Sequence, residues 1–494
     1  YKDRPYDGEG AWSDALLGRL DASLERLGIR DQALVVVTSD HGEGLGDHGE
    51  NIHGFFVYQS TLHVPLLFRG PGIQPGRRLE ATVGSVDLFP TFLDLLGVQA
   101  PAGSRFSGRN LAPALRGAPE LPDQASYAEC LEPLLDYGWS DLRTLREGRW
   151  KYILAPKPEL YDLKADPREL KNLADQEPGQ VSTLHRALTQ RLAADNKPTG
   201  SQAGGVPSEL LEKLGALGYI GAPLTVPGAS RKDDPKDKLA EYKEVGPLIR
   251  DGKMRLGQKD FAGSAGQLQA LLDRGIESFD IHFYLGGALM GLKRPKEAVG
   301  HLEAAIARLP GYVPAYPDLA RARFASGDAP GAMEALHKGQ ALAPKEPGLF
   351  EMEGQLLRGM RKPQEALRAY DAALPLAPND ARLHGQAALV ALELRDPQRA
   401  IALLRRALEL DPGPAVYWNS LGMALGGTGK MEGAEKAFRE AISRDPRNVQ
   451  YLYNLGLALV QLGSRSDAVA IFQRALQIDP QFRPAAQRLV ELGP

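Results

Sequence analysis

Six prolines, Pro310, Pro344, Pro378, Pro412, Pro446 and Pro480, stand 34 residues apart. Ala298, Ala332, Ala366, Ala400, Ala434 and Ala468 keep the same period, and each is followed four residues on by a large side chain: Leu302, Leu336, Tyr370, Leu404, Phe438 and Phe472. Gly286, Gly354, Gly422 and Gly456 recur in phase with them. A period of this length accommodates two helices and their turns, and neighbouring copies can bury their apolar faces only by stacking. The small residues permit close helix approach, the large ones fill the space opposite, and each proline stops the second helix of its pair.

The pattern resembles the tetratricopeptide repeat. Its clearest copy is VYWNSLGMALGGTGKMEGAEKAFREAISRDP, residues 416–446. A degenerate first copy is expected at 245–278 and a capping helix at 481–492. A repeat domain of about seven copies is therefore predicted over 236–494. The resemblance implies a concave groove for a protein or peptide partner, with Asn419, Met423, Tyr453 and Leu457 facing it. The alternative is an array that serves as a spacer or packs on its own neighbouring domain.

Residues 1–195 read differently. Trp12, Leu16, Leu20, Leu24 and Leu27 recur at helical spacing and end at Gly28. The run ALVVVT (33–38) predicts a central strand buried on both faces, and HVPLLFRGPG (63–72) a second strand stopped by a Pro-Gly turn. In SVDLFPTFLDLLGV (85–98), Asp87 can cap a short helix that Gly97 closes. Alternation of this kind predicts a mixed or parallel sheet with helices on its faces. RWKYIL (149–154) predicts a strand of a small antiparallel sheet. VSTLHRALTQRLAA (181–194) predicts a helix, on which His185 has no evident partner. Gly, Pro, Ser and Lys dominate 196–235, which predicts a linker, interrupted by the apolar stretch 210–221.

Bulk properties exclude little. A net charge of -3 gives no electrostatic reason to expect nucleic acid. The single cysteine, Cys130, can form no disulfide within the chain and no cysteine-based zinc site. No apolar run reaches the roughly 18 residues of a membrane span.

One stretch concentrates chemistry. In VVVTSDHGEGLGDHGENIHG (35–54), His41, His48 and His53 stand among four acids, although the chain has only nine histidines. Asp40 and His41 follow the strand directly, where an open α/β sheet presents side chains to a crevice, and could point two ligands at one divalent ion. Glu43, Asp47 and Glu50 make the neighbourhood acidic. A solvated acidic turn with histidine caps fits the spacing equally well.

The wider context weighs on that choice. TSDHGEGLGDHGENIHG followed by YQSTLHVPLLFRGPG resembles the sulfatase family of the alkaline phosphatase superfamily. The likeness continues in order through SVDLFPTFLDLLGV, FSGRNLAPALRG, LREGRWKYI and ELYDLKADPRELKNLA, covering about residues 1–195. It implies an α/β fold, the C-terminal portion of a sulfatase-like hydrolase domain, ahead of the all-α repeats. By the same resemblance Asp40 and His41 are metal ligands, to calcium or to magnesium, manganese or zinc. His53, within one residue of a lysine position in many sulfatases, becomes a catalytic contact to the ester. His48 reads as a loop residue and His63 as structural.

The family's Cys/Ser-x-Pro/Ala-x-Arg motif, source of its formylglycine nucleophile, is missing here, as are its two early aspartates. The family places both upstream, and Tyr1 in place of Met suggests a fragment. The expectation is a metal-dependent hydrolase of sulfate esters when intact, with the present stretch inactive alone. Phosphoester hydrolysis or phosphotransfer, and a repeat scaffold with a degenerate hydrolase domain, are the alternatives. Placement outside the cytoplasm, periplasmic or membrane-anchored, is suggested by the resemblance alone.

Overall fold

The computed structural model describes residues 4–100, 104, 106–119, 121–195 and 233–493. The described residues divide into two compact units, one running from residue 4 to 195 with 233–247, the other from 248 to 493. Each is considered by itself. The apolar stretch 210–221 and most of the expected linker lie outside the described residues.

In the first unit, helix α1 (Pro5–Arg26) starts with proline in its first turn, where a missing N–H costs nothing. It ends where Gly28 adopts a φ of 70°. Strand β1 (Val35–Thr38) pairs antiparallel with β2 (Leu66–Arg69), Val35 opposite Arg69 and Thr38 opposite Leu66. Side chains alternate across a strand, so Val35 and Val37 share the face that lines a groove with Leu17, Leu20 and Leu24 of α1. Phe68 points to the other face, where its ring meets Phe92 of α2 (Leu88–Leu95). Asp21 on α1 ties the helix to the sheet through ion pairs with Arg30 and Arg69.

This corrects two expectations. Both sheets are antiparallel, neither mixed nor parallel. The valine run is half-buried, because β1 has one strand neighbour among the described residues and α1 leaves Trp12, Leu16 and Leu20 exposed. A valine-rich run signals only an apolar strand environment; strand direction is set by partners it does not encode.

Asp87 caps differently from expectation. Its carboxylate accepts from the Gly84 N–H at 3.1 Å and the Arg109 N–H at 2.6 Å, closing the single helical turn that precedes α2 rather than α2 itself.

The second sheet is a meander of β3 (Ser126–Cys130), β4 (Leu142–Glu147), β5 (Trp150–Leu154) and β6 (Glu159–Asp162). Leu145, Tyr152 and Leu160 from its strands meet Leu184 and Leu188 of α3 (Pro178–Asp195). His185 on that helix has a partner after all, with Nδ1 3.1 Å from the Tyr152 hydroxyl. Residues 233–247 also belong to this unit: Ser140 donates to the Asp233 carbonyl, and Tyr242 stacks on Phe55.

The second unit is a tetratricopeptide solenoid of paired helices closed by Arg483–Leu492. The six periodic alanines are all fully buried. A Cβ at Gly286, Gly354 or Gly422 would lie 2.7, 2.8 or 2.5 Å from Leu302, Tyr370 or Phe438, so the periodic glycine and large residue are two halves of one contact. Asp260, Asp328 and Asp396 cap second helices by accepting the N–H three residues on. His282 and His301, which show no ligand spacing in sequence, meet across a helical pair with their Nδ1 atoms 3.0 Å apart.

No helix among the described residues is long and apolar enough to cross a membrane.

Candidate active site

The site grows out of the end of β1. Beyond Thr38, Ser39 Oγ donates to the His41 carbonyl at 2.6 Å, and the His41 N–H donates to Asp40 Oδ1 at 3.0 Å. The loop then folds back on itself. Gly42 N–H donates to the Thr61 carbonyl, and Gly44 N–H to that of Ile52. Both close approaches require glycine: a Cβ at Gly42 would collide with the Ser60 carbonyl, and one at Gly44 would lie 2.5 Å from the Glu50 oxygen.

This reversal returns His53 to His41, and the two imidazoles stack with centroids 3.8 Å apart and planes 27° apart. Asp40, His41 and His53 are thus brought together.

The hydrogen bonds assign the ring atoms. His41 Nδ1 is 2.9 Å from the Gly42 carbonyl, which can only accept, so Nδ1 donates and neutral Nε2 carries a lone pair. That Nε2 is 3.6 Å from Asp40 Oδ2. His53 Nδ1 is 3.0 Å from Glu43 Oε2, so the carboxylate holds the ring's orientation and proton exchange with a ligand falls to Nε2. In sequence Glu43 is only one more acid in the turn; it is paired with His53 because Gly44, lacking a Cβ, lets the returning backbone at Glu50 and Ile52 close on it.

Glu50 is a second such residue. Its side chain is buried and accepts from the Phe55 N–H at 2.7 Å, which closes the base of the loop carrying His53. Burial pushes its carboxyl up to about 7.

His48 faces elsewhere. Its ring stacks on Tyr58 at 3.6 Å and its Nε2–H donates to the Glu169 carbonyl at 3.0 Å, so it pins the loop to the body of the unit. His63 is exposed. Cys130 is half-buried, with its thiol 2.7 Å from the Gly54 carbonyl and its pKa raised by burial, an unreactive environment.

Asp40 and His41 suit a divalent ion. Ligands about 2.4 Å from one ion and at right angles lie about 3.4 Å apart, close to the observed separation of Oδ2 and Nε2. The pair joins a hard oxygen to a neutral nitrogen. No group of three or more His, Cys, Asp or Glu side chains that could hold a metal occurs among the described residues, so the pair fits as part of a coordination sphere.

Comparison with known proteins bears on the stretch that carries this strand-end Asp-His pair and its stacked histidine. Residues 2–98 match the Sulfatase family model. Residues 252–313, 289–356, 351–414 and 419–481 match tetratricopeptide repeat models. The chain joins a segment of the sulfatase family to tetratricopeptide repeats.

Arylsulfatase K of Xenopus laevis is 33% identical over 193 residues, 36% of this chain and 34% of that protein. Choline-sulfatase of Rhizobium meliloti (strain 1021) is 34% identical over 181 residues, again 36% of this chain and 34% of that protein. The chain thus spans about a third of the length of these relatives. Among solved structures, YrrB, described as a TPR protein with an unusual peptide-binding site, is 22% identical with a TM-score of 0.35, over 38% of this chain and 98% of that one. MamA is 24% identical with a TM-score of 0.33, over 34% of this chain and 92% of that one.

Proposed function

We propose that residues 35–58 supply the metal-ligand side of a sulfatase-type active site, and that the complete site hydrolyses sulfate esters. The observation that carries this reading is the 3.6 Å approach of His41 Nε2 to Asp40 Oδ2, with His53 stacked on His41 at 3.8 Å. Asp40 and His41 would hold a divalent ion, calcium on family grounds, which supplies a Lewis acid for an ester oxygen. His53, oriented by Glu43, would bind the anionic ester or protonate its leaving oxygen through Nε2. The nucleophile, a formylglycine on family grounds, lies in no stretch of this chain. The repeats would receive a protein or peptide partner in their groove.

The test is turnover of an aryl sulfate and an aryl phosphate by protein carrying the complete sulfatase-type domain, with and without calcium. Sulfate turnover should exceed phosphate turnover and fall at least ~100-fold in Asp40→Ala and His53→Ala. Equal turnover in Asp40→Ala rules out the metal role, and a preference for phosphate reassigns the substrate.

A further inference from the structure

The loop carrying His53 is held at both ends by residues that lie nearly two hundred positions later in the chain. At its start, the Leu239 side chain lies so close to Gly49 that a Cβ there would be 3.0 Å from Leu239 Cδ1. At its end, the Tyr242 ring stacks on Phe55 with centroids 4.0 Å apart and planes 23° apart. Phe55 is fully buried, and its N–H is the one that Glu50 accepts to close the loop.

A third link runs through Lys236, whose ammonium donates to Glu159 Oε1 at 2.7 Å, while Glu159 Oε2 accepts from the Tyr58 hydroxyl at 2.8 Å. Tyr58 in turn stacks on His48. The segment is anchored independently of the loop: Asp234, 2% exposed, accepts the Lys157 N–H at 2.9 Å, and the Ser140 N–H donates to the Asp233 carbonyl at 3.0 Å.

We propose that residues 233–245 are a strap that sets the position of the His53 loop, with Leu239 and Tyr242 as its positioning residues. The composition of this stretch, with three Lys, three Asp and two Glu, suggests a solvated tether. Instead it packs on Gly49 and Phe55, while Glu43 and His41 meet His53 between them. Without the ring of Tyr242, Phe55 keeps only edge contacts with Phe56, Tyr137 and Trp139, and the Glu50–Phe55 closure loosens. His53 then loses its fixed relation to Glu43 and His41. The importance of that relation rests on the reading of the loop as part of an active site; the strap itself does not.

The test uses the full chain and two readouts, backbone hydrogen exchange by mass spectrometry and the carbon-labelled ring signals of the histidines. In Tyr242→Ala, exchange across residues 48–58 should rise about tenfold or more, and the His53 signal should move. Peptides from β4–β5 and from residues 415–478 should exchange as before. Tyr242→Phe, which keeps the ring, should restore both readouts.

Unchanged exchange across 48–58 would overturn the strap, and so would an equal rise in β4–β5, which would mark Tyr242 as an ordinary core residue. Should Tyr242→Ala not fold, Leu239→Ala puts the same question at the other end of the loop, with the same two overturning results. Neither readout involves turnover or metal. Failure of the Asp40→Ala test therefore removes the hydrolytic reading and leaves this one to stand or fall separately.

Discussion

The Lys151 ammonium and the Glu169 carboxylate are 2.6 Å apart in the interior of the first unit, with side-chain exposures of 2% and 1%. The Glu169 carboxylate also accepts the Gln59 N–H at 2.6 Å, and its main-chain carbonyl accepts from His48 Nε2–H, so one buried residue holds both sides of the site loop to β5. Removing one partner of such a pair strands the other charge. Glu169→Ala should lower unfolding stability by roughly 3–5 kcal/mol, measured by denaturant titration, and the double variant Lys151→Met with Glu169→Leu should recover part of it. No recovery would mean that the Gln59 contact to the Glu169 carboxylate, rather than the pair, carries the stability.

Glu50 gives the first unit a pH dependence of unusual sign. Its carboxyl titrates near 7 in the fold against 4.5 ordinarily, chiefly because burial disfavours the charged form. The folded state therefore binds more protons than the unfolded state between those values, and stability falls as pH rises from about 4.5 to about 7. The loss is on the order of 2–3 kcal/mol at most. Glu50→Gln keeps an acceptor for Phe55 and should flatten this part of the profile. An unchanged slope in the variant would contradict the assignment.

The repeats should respond to acid in the opposite way. Burial lowers His282 to about 4, and also lowers His301. The unfolded chain takes up protons first, so the pair's contribution is present above pH 6.5 and is lost as pH falls toward 4. Partial solvation trims the His282 contribution to on the order of 1–2 kcal/mol. Unfolding of the repeats between pH 7 and 4.5 checks it, with His282→Phe expected to lose less stability on acidification than the natural chain.

Gly422 and Phe438 form one contact in the best-preserved repeat, and either can be changed to test it. Gly422→Ala puts a methyl 2.5 Å from the Phe438 ring and should cost about 1–3 kcal/mol in thermal unfolding. Leucine fills the slot of Phe438 in other copies, at Leu302, Leu336 and Leu404. Gly422→Ala with Phe438→Leu should therefore be closer to the natural stability than Gly422→Ala alone.

The repeats were legible because each contact recurs in register, so one sequence states the same packing rule six times. The site was legible only in part. Asp40 and His41 stand side by side at the end of a recognisable strand, and His53 lies within one loop of them. The partnership of Glu43 with His53 depends on how closely the returning chain at Ile52 packs on Gly44, which no local pattern specifies. The strap was hidden because its contacts reach from Lys236 to Glu159 and from Tyr242 to Phe55, pairings between segments whose composition gives no sign of each other. The His282–His301 pair was missed for a related reason: the residues are 19 positions apart and meet only when the helical pair closes.

Paramagnetic broadening of histidine ring signals by manganese(II) tests the central claim, that Asp40 and His41 hold a divalent ion beside His53. With the nine histidines carbon-labelled in the full chain, the account predicts that His41 and His53 broaden at lower manganese concentration than His185 and the repeat histidines. It further predicts that Asp40→Ala abolishes this selectivity. Uniform broadening, or selective broadening that survives Asp40→Ala, would contradict it.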